Sequence, residues 1–457
     1  MFDWRKEGMN RKVFLAGFAL LLASFFVGID YAAADDYKRK FERIEKRLKE
    51  LEKREREKYK KYKKGEKEVL LYYKNGLKAR TDDNHFQFQV GGRIMHDWGM
   101  FAEDSAFESA FGNQEDGARF RRVRLFLAGK VYNTFKYKFD IDVDGGSNGV
   151  TFKDMYISIP NIPIVGNFQV GHFKRPASLD SVTSSKYNTF IERSLTNTFF
   201  KTRNTGFAFF NNHFDKRLTW FTFVNKETPE NPPDFRTDGD WNVTSRLTVL
   251  PYYENKGEDW LHLALSYSYE AGLDNQVRFR GARDSEVTSR FLNTGFIDVE
   301  KYHILGWEGA WNMKQFGLQS EYVTTFVDRK GRDQGNLDSY YIQGTWYVTG
   351  EHRRYLKKKG AIARFKPNSN FDWDKDWSNG NGLGALQLAV RYAELDLNDG
   401  QAGIAGGEQE SLTFGVNWEW NPMSRIMYNL VLADFTSGNG GNNGRLVSNI
   451  IRFQIDY

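Results

Sequence analysis

Four cations placed at every second position carry the first chemical signal in this chain. Arg122 and Arg124 alternate with Val123 and Leu125, and Lys136 and Lys138 alternate with Tyr137 and Phe139. Cations two residues apart project from one face of a β-strand, where they can meet an anion with both charge and hydrogen bonds. The elements that position them must therefore be strands. Over 119–144, Val123, Leu125, Leu127 and Val131 share one face, and Arg122, Arg124 and Lys130 share the other. After a short turn at Tyr132–Thr134, Tyr137, Phe139, Ile141 and Val143 oppose Lys136, Lys138, Asp140, Asp142 and Asp144. This alternation predicts a hairpin. The charged face is excluded from a dry interior, because a buried unpaired charge is very costly. Two readings of the hairpin remain: an ordinary solvated face, or an apolar face on lipid with a charged face on a watery lumen.

The same alternation recurs from Phe86 to the end. Leu261, Leu263, Leu265, Tyr267 and Tyr269 oppose His262, Ala264, Ser266 and Ser268, and Leu412, Phe414, Val416, Trp418 and Trp420 oppose Thr413, Gly415, Asn417 and Glu419. Rougher versions lie near 151–159, 165–173, 204–211, 217–226, 241–250, 301–311, 316–327, 339–349, 384–395 and 424–433. With Phe86–Trp98, the hairpin and the C-terminal stretch, sixteen segments are expected. The mean hydropathy of −0.63 excludes a bundle of membrane helices, which needs long apolar runs. It permits an all-β transmembrane β-barrel of about 16 antiparallel strands, where only alternate residues are apolar.

Connection lengths agree. Short links at Tyr132–Thr134, Pro160–Ile164, Asn211–Lys216, Asn312–Gln315 and Asn421–Ser424 alternate with long ones near 99–118, 174–203, 271–300 and 396–410. Outer-membrane barrels have short periplasmic turns and long external loops in this pattern. The connection at 350–382 departs from it, falling where a short turn is expected. The final strand sets Ile451, Phe453, Ile455 and the terminal Tyr457 against Arg452, Gln454 and Asp456. In a soluble protein that edge would be exposed and apolar.

The N-terminus reads differently. Arg5, Lys6, Arg11 and Lys12 precede the apolar run Val13–Val27, and Ala32, Ala33 and Ala34 offer a small-residue cleavage site. Residues 1–34 are expected to be a secretory signal peptide, with Met1 or Met9 as the start. Residues 35–68 form a charged segment in which Tyr37, Phe41, Ile44, Leu48 and Leu51 keep a 4-3-4-3 spacing. That is a heptad seam, predicting a short N-terminal coiled-coil helix that joins subunits, with a solvated spacer helix as the other reading. Residues 69–85 are expected to be a linker and 86–457 the barrel. The net charge of +6 is local: residues 1–68 carry 20 Lys and Arg against 13 Asp and Glu, leaving the rest near neutral. A nucleic-acid partner is not implied.

Several ordered motifs carry a family resemblance. FRRVRLFLAGKV, FKYKFDIDVDGG, FKDMYISI and FQVGHFKRPASLDSVTSSKYNTFIERSL, followed later by VTGEHRRY and GALQLAVRYAELDL, resemble the phosphate-selective porin O/P family across roughly residues 86–457. The resemblance implies a homotrimeric porin in the outer membrane of a Gram-negative-type bacterium, exported through the periplasm. It also implies passive diffusion of small anions or other hydrophilic solutes. By spacing, Arg122, Arg124, Lys136 and Lys138 face inward, and Asp154 matches an inward acidic position beside the family's basic pathway. The 174–203 connection matches the loop that folds into such pores, and it supplies Lys174, Arg175, Lys186, Glu192 and Arg193. Selectivity stays open, since Asp140, Asp142 and Asp144 share a strand with Lys136 and Lys138. An anion-preferring channel and a general porin with facing basic and acidic walls both fit.

Other chemistry finds no support. The G-x-S-x-G match at Gly145–Gly149 sits in a turn without a following helix, so it is a chance match and no catalytic set can be named. The seven histidines show no metal-ligand spacing, and the absence of cysteine excludes disulfides and thiolate metal sites. No cofactor is expected. The alternative function is structural: a barrel whose coiled coil spaces or anchors the outer membrane.

Overall fold

The computed structural model describes residues 31–63, 67–143, 149–226, 241–272, 274–375, 377, 381–438 and 443–457. The expected leader falls mainly on residues 1–30, outside that set, as do Asp144 and most of the G-x-S-x-G match. The chain divides into two compact units, residues 1–68 and 69–457. In the first, a helix α1 runs over Tyr31–Lys63, and the seam residues Ile44, Leu48 and Leu51 on it are exposed.

Among the described residues of the second unit, sixteen long strands close into an antiparallel barrel. They are β1 (Gln87–Glu103), β2 (Gly117–Val131), β3 (Phe135–Asp142), β4 (Met155–Ile162), β5 (Gly166–Lys174), β6 (Arg203–His213), β7 (Leu218–Lys226) and β8 (Trp241–Glu254). β9 (Asp259–Glu270), β10 (Ile297–Met313), β11 (Phe316–Arg329), β12 (Gly335–Tyr347), β13 (Ala385–Asp399), β14 (Ile404–Asn421), β15 (Ser424–Thr436) and β16 (Asn443–Asp456) follow. Each strand pairs with its neighbour, and β16 pairs back on β1 from Leu446↔Glu103 to Asp456↔Arg93. Closure removes both open edges, which is why the apolar alternation of the last strand leaves no unpaired ladder.

Burial is inverted relative to a soluble protein. On β1, Trp98 is 53% exposed and Asp97 1%; on β16, Phe453 is 48% exposed and Arg452 1%. Apolar side chains face outward, where lipid replaces water, and polar ones face the lumen. Among the described residues no helix is long and apolar enough to cross a membrane. The terminal Tyr457 finishes the closure: its carbonyl accepts from Gly92 N at 2.8 Å, and its ring covers Gly92, where a Cβ would come within 2.6 Å of the ring. Only glycine fits under that ring.

Four expectations are corrected. The 69–85 stretch is not a linker, for Val69–Tyr73 and Leu77–Thr81 form a hairpin whose second strand pairs with the start of β1. The long loop expected at 396–410 is absent, because β13 and β14 run on and leave only residues 400–403 between them. The strand expected at 151–159 is broken: Thr151–Phe152 pairs with β3, and β4 proper begins at Met155. Strict alternation also fails in β2. Met95 pairs with Arg122 while His96 pairs with Phe120, so Arg121 is an extra, bulged residue. The bulge turns Phe120 outward, 51% exposed, and brings both Arg121 and Arg122 inside.

The seam between β16 and β1 also carries a buried, many-partnered lumen contact. Arg452 donates to both Asp97 oxygens at 2.6 Å, to Ile191 O at 2.5 Å and to Glu192 Oε1 at 2.8 Å. Arg452→Ala would leave the Asp97 and Glu192 carboxylates short of a partner inside the barrel. The expected cost is about 3 kcal/mol or more, read as a lower temperature at which the folded band disappears on an unheated-versus-heated SDS gel; an unchanged transition would contradict it.

Candidate pore site

The lumen is filled on one side and open on the other. The loop after β5, residues 175–202, turns into the barrel rather than out of it. It has little regular structure, a short helix at Leu179–Val182 and a 3-10 turn at Leu195–Phe199, so most of its backbone carbonyls need outside donors. Inward side chains of β13–β16 supply them. Arg391 donates to Glu192 O at 3.1 Å, Asn417 to Thr189 O at 2.8 Å, Arg425 to Asn188 O at 3.0 Å and Gln454 to Lys186 O at 3.1 Å. Gly415 makes room there, since a Cβ would sit 3.0 Å from the Phe190 ring.

Glu192 ties the loop to the barrel on both sides of β1, to β2 and to β16. Its carboxylate accepts from Arg121 at 2.7 and 3.0 Å and from Arg452 at 2.8 Å, with Arg122 at 3.8 Å. Burial opposes its charge, but Arg121, Arg122 and Arg452 hold the carboxyl well below the ordinary range. The loop of residues 271–296 lies beside it, with Glu286 3.1 Å from Arg121 and Ala282 N donating to Thr198 Oγ1 at 2.9 Å.

The long connection between β12 and β13, which the sequence left without a physical account, folds into the lumen from the short-turn end. Trp260 donates to Arg353 O at 2.8 Å, Arg246 to Gly360 O at 2.9 Å, and Thr219 to Lys357 O at 3.2 Å. Ile362 N donates to Thr183 Oγ1 at 3.2 Å, so this connection and the 175–202 loop meet. Arg246 is itself locked on Glu308, which also takes His262 Nε2 at 3.1 Å.

What stays open is a cavity of about 1040 Å³ along the inner face of β1–β8. Fifteen of its lining residues are Arg or Lys and two, Asp140 and Asp154, are acidic. Of the residues singled out from sequence, Arg122, Arg124, Lys136, Lys138, Asp154, Lys174 and Arg193 line this cavity. Arg175 and Lys186 are not among its lining residues. Arg175 pairs with Glu270 and donates to Thr244 Oγ1, while Lys186 pairs with Asp456 at 3.0 Å. Burial pushes the Lys186 ammonium down to about 8 although Asp456 works the other way.

Most of the lining cations are already engaged. Arg124 lies 2.6 Å from Asp142, and Asp154 takes Lys138 at 2.7 Å and Arg203 at 2.8 Å. Lys174 donates to Ser181 O and Thr183 O, and Arg193 to Asp180 O and Thr183 O, so both also brace the loop. Sequence reasoning missed Arg93, Arg121, Arg203, Lys216, Lys358 and Lys359. A bulge hides Arg121, and the Lys357-Lys358-Lys359 run lay in a connection whose path only the fold reveals.

Comparison with known proteins agrees with this geometry. Residues 88–457 match the family described as phosphate-selective porin O and P. Porin O of Pseudomonas aeruginosa is 24% identical over 415 residues, covering 82% of this chain and 90% of that protein. An uncharacterized protein of Caulobacter vibrioides is 26% identical over 365 residues, covering 78% of this chain and 70% of its own. Among solved structures, an anion-selective porin from Comamonas acidovorans superposes with a TM-score of 0.50 at 12% identity, over 81% of this chain and all of that one. A loop L8 deletion mutant of the Vibrio cholerae outer membrane protein OmpT also superposes at 0.50, with 11% identity, over 81% and 99% of the two chains. The chain belongs to the phosphate-selective porin O and P family and is a β-barrel porin of the Gram-negative outer membrane.

Proposed function

We propose that this porin passes small anions, phosphate-like oxyanions among them, by passive diffusion past successive cations on the wall of β1–β8. The observation that carries the reading is the imbalance of the cavity lining, fifteen basic residues against two acidic ones. A lumen so lined raises the local concentration of anions and replaces part of their hydration, while several weak sites in series let them leave. Arg122, Arg124, Lys136, Lys138, Lys174 and Arg193 form the pathway, and Asp154 orients Lys138 and Arg203 within it. Arg175 and Lys186 act differently, fastening the 175–202 loop. The porin O relative and the anion-selective structural neighbour point the same way.

In the same reading the chain works as a homotrimer. β3, β4 and β5 are 8, 8 and 9 residues long, whereas β10–β16 run from 13 to 18. A membrane strand needs roughly 9–11 residues to cross, so this low stretch of wall is better covered by a second copy than by lipid. Its outer face offers exposed Phe139, Ile157 and Val170 for that contact. The seam of α1, uncovered in a single chain, suits association of the same three copies.

Two measurements test these points. In planar bilayers under a KCl gradient the reversal potential should indicate anion preference. Arg122→Ala should lower the anion-over-cation ratio by roughly two- to fivefold, and Lys186→Ala should leave it nearly unchanged. Clear cation selectivity would sink the reading. Deleting residues 35–63 should weaken the trimer on unheated gels while single-channel conductance persists; a trimer of full stability with loss of envelope attachment would favour the tethering role instead.

A further inference from the structure

The cations of the cavity are not evenly committed. Those in its middle, Arg121, Arg124, Lys138 and Arg203, are ion-paired. Toward the short-turn end the pattern changes. Lys136 follows the 132–134 turn, Lys216 lies in the turn between β6 and β7, and Lys358 and Lys359 come from the inserted connection. Among the described residues none of these four has a carboxylate partner, and Lys358 and Lys359 are exposed to the lumen. Lys358 repels Lys136, and Lys359 is repelled by Lys138 and Lys136 against the pull of Asp154, so this end of the cavity keeps an excess of positive charge. Neighbouring Lys357, by contrast, is spent on Asp215 at 2.7 Å.

An apolar surface shares this end of the cavity. Phe210 and Phe221 pair directly across β6 and β7, and their rings stack at 4.8 Å with 6° between planes. Both line the cavity, three residues to either side of the 214–217 turn. Phe173 and Tyr156, 6.0 Å apart and also lining, continue the aromatic surface up the same wall. A lumen that handled only small hydrated anions would have no use for this, since phenyl faces left against water gain nothing from such a solute. An anion with a flat apolar body gains from both halves, charge on the lysines and carbon on the rings.

We propose that the short-turn end of the channel is a subsite for organic anions carrying an aromatic or similarly flat apolar group, such as aryl phosphates. Lys136, Lys216, Lys358 and Lys359 hold the charged end, and the Phe210–Phe221 stack holds the apolar end. The inference rests on the anion-passing reading and narrows it, adding a solute class that inorganic phosphate does not represent.

Block of the chloride current in planar bilayers tests it with the full-length porin. Phenyl phosphate and inorganic phosphate are added separately on the short-turn side, and the half-blocking concentration is read for each. Phenyl phosphate should block at roughly three- to tenfold lower concentration, the range expected for an aromatic pair. Phe221→Leu should erase that difference while leaving the inorganic phosphate value in place, and Phe210→Leu is the second variant should the first fail to insert. Lys358→Gln with Lys359→Gln should weaken block by both anions. Equal half-blocking concentrations in the unaltered protein, or a difference that survives both Phe substitutions, would overturn the subsite and leave the anion reading standing. A cation-selective current would overturn both.

Discussion

A loop with almost no secondary structure cannot lie inside a barrel unless something accepts and donates to its backbone. That requirement governs this lumen. The carbonyls of Lys186, Asn188, Thr189, Ile191 and Glu192 are taken up by Gln454, Arg425, Asn417, Arg452 and Arg391, one or more from each of β13–β16. Arginine suits the task because a single fork of donors can satisfy a carbonyl and a carboxylate at once. Arg452 does so, reaching Asp97, Ile191 and Glu192 together. With the loop fastened to one wall, the other wall is left open, and the position of the channel follows.

The same fastening sorts the charges. The barrel region is close to neutral, yet its cavity is strongly basic, because the acidic side chains are used elsewhere. Glu192 faces Arg121 and Arg452, Glu308 faces Arg246, Glu270 faces Arg175, and Asp456 faces Lys186 and Arg364. Each pair spends an acid on holding a loop or a connection in place. Cations are left in excess along β1–β8, so selectivity here is a consequence of how the lumen is packed rather than of net charge. Arg175 and Lys186 illustrate the point: as residue types they match the channel cations, but their partners commit them to holding the loop.

The inserted connection between β12 and β13 extends this logic to the short-turn end. It enters the lumen through main-chain contacts with Trp260, Arg246 and Thr219, and it meets the 175–202 loop at Ile362 and Thr183. Between the anchored carbonyls of Lys357 and Gly360, Lys358 and Lys359 are exposed and line the same cavity as Phe210 and Phe221. Two insertions from opposite ends, one pinned mainly by arginines of the late strands and one by side chains of β7–β9, thus narrow the same passage.

Much of the architecture was legible from residue order alone. Period-two alternation is local: each strand records which face meets lipid and which meets water, so strand number, closure and the inward direction of Arg122, Arg124, Lys136 and Lys138 could be read without a fold. Where local pattern failed, the cause was a change of parity or an end with no periodicity. Arg121 enters the lumen only because the register with β1 slips by one residue, and β13 and β14 outrun the pattern that marks them. Tertiary structure alone decided which cations remain available, since that depends on partners far apart in sequence, as Lys186 on Asp456 and Arg203 on Asp154. The alternating arginines, lysines and aspartates therefore established a lumen lined with charge of both signs, and long-range pairing determined which of those charges a solute can meet.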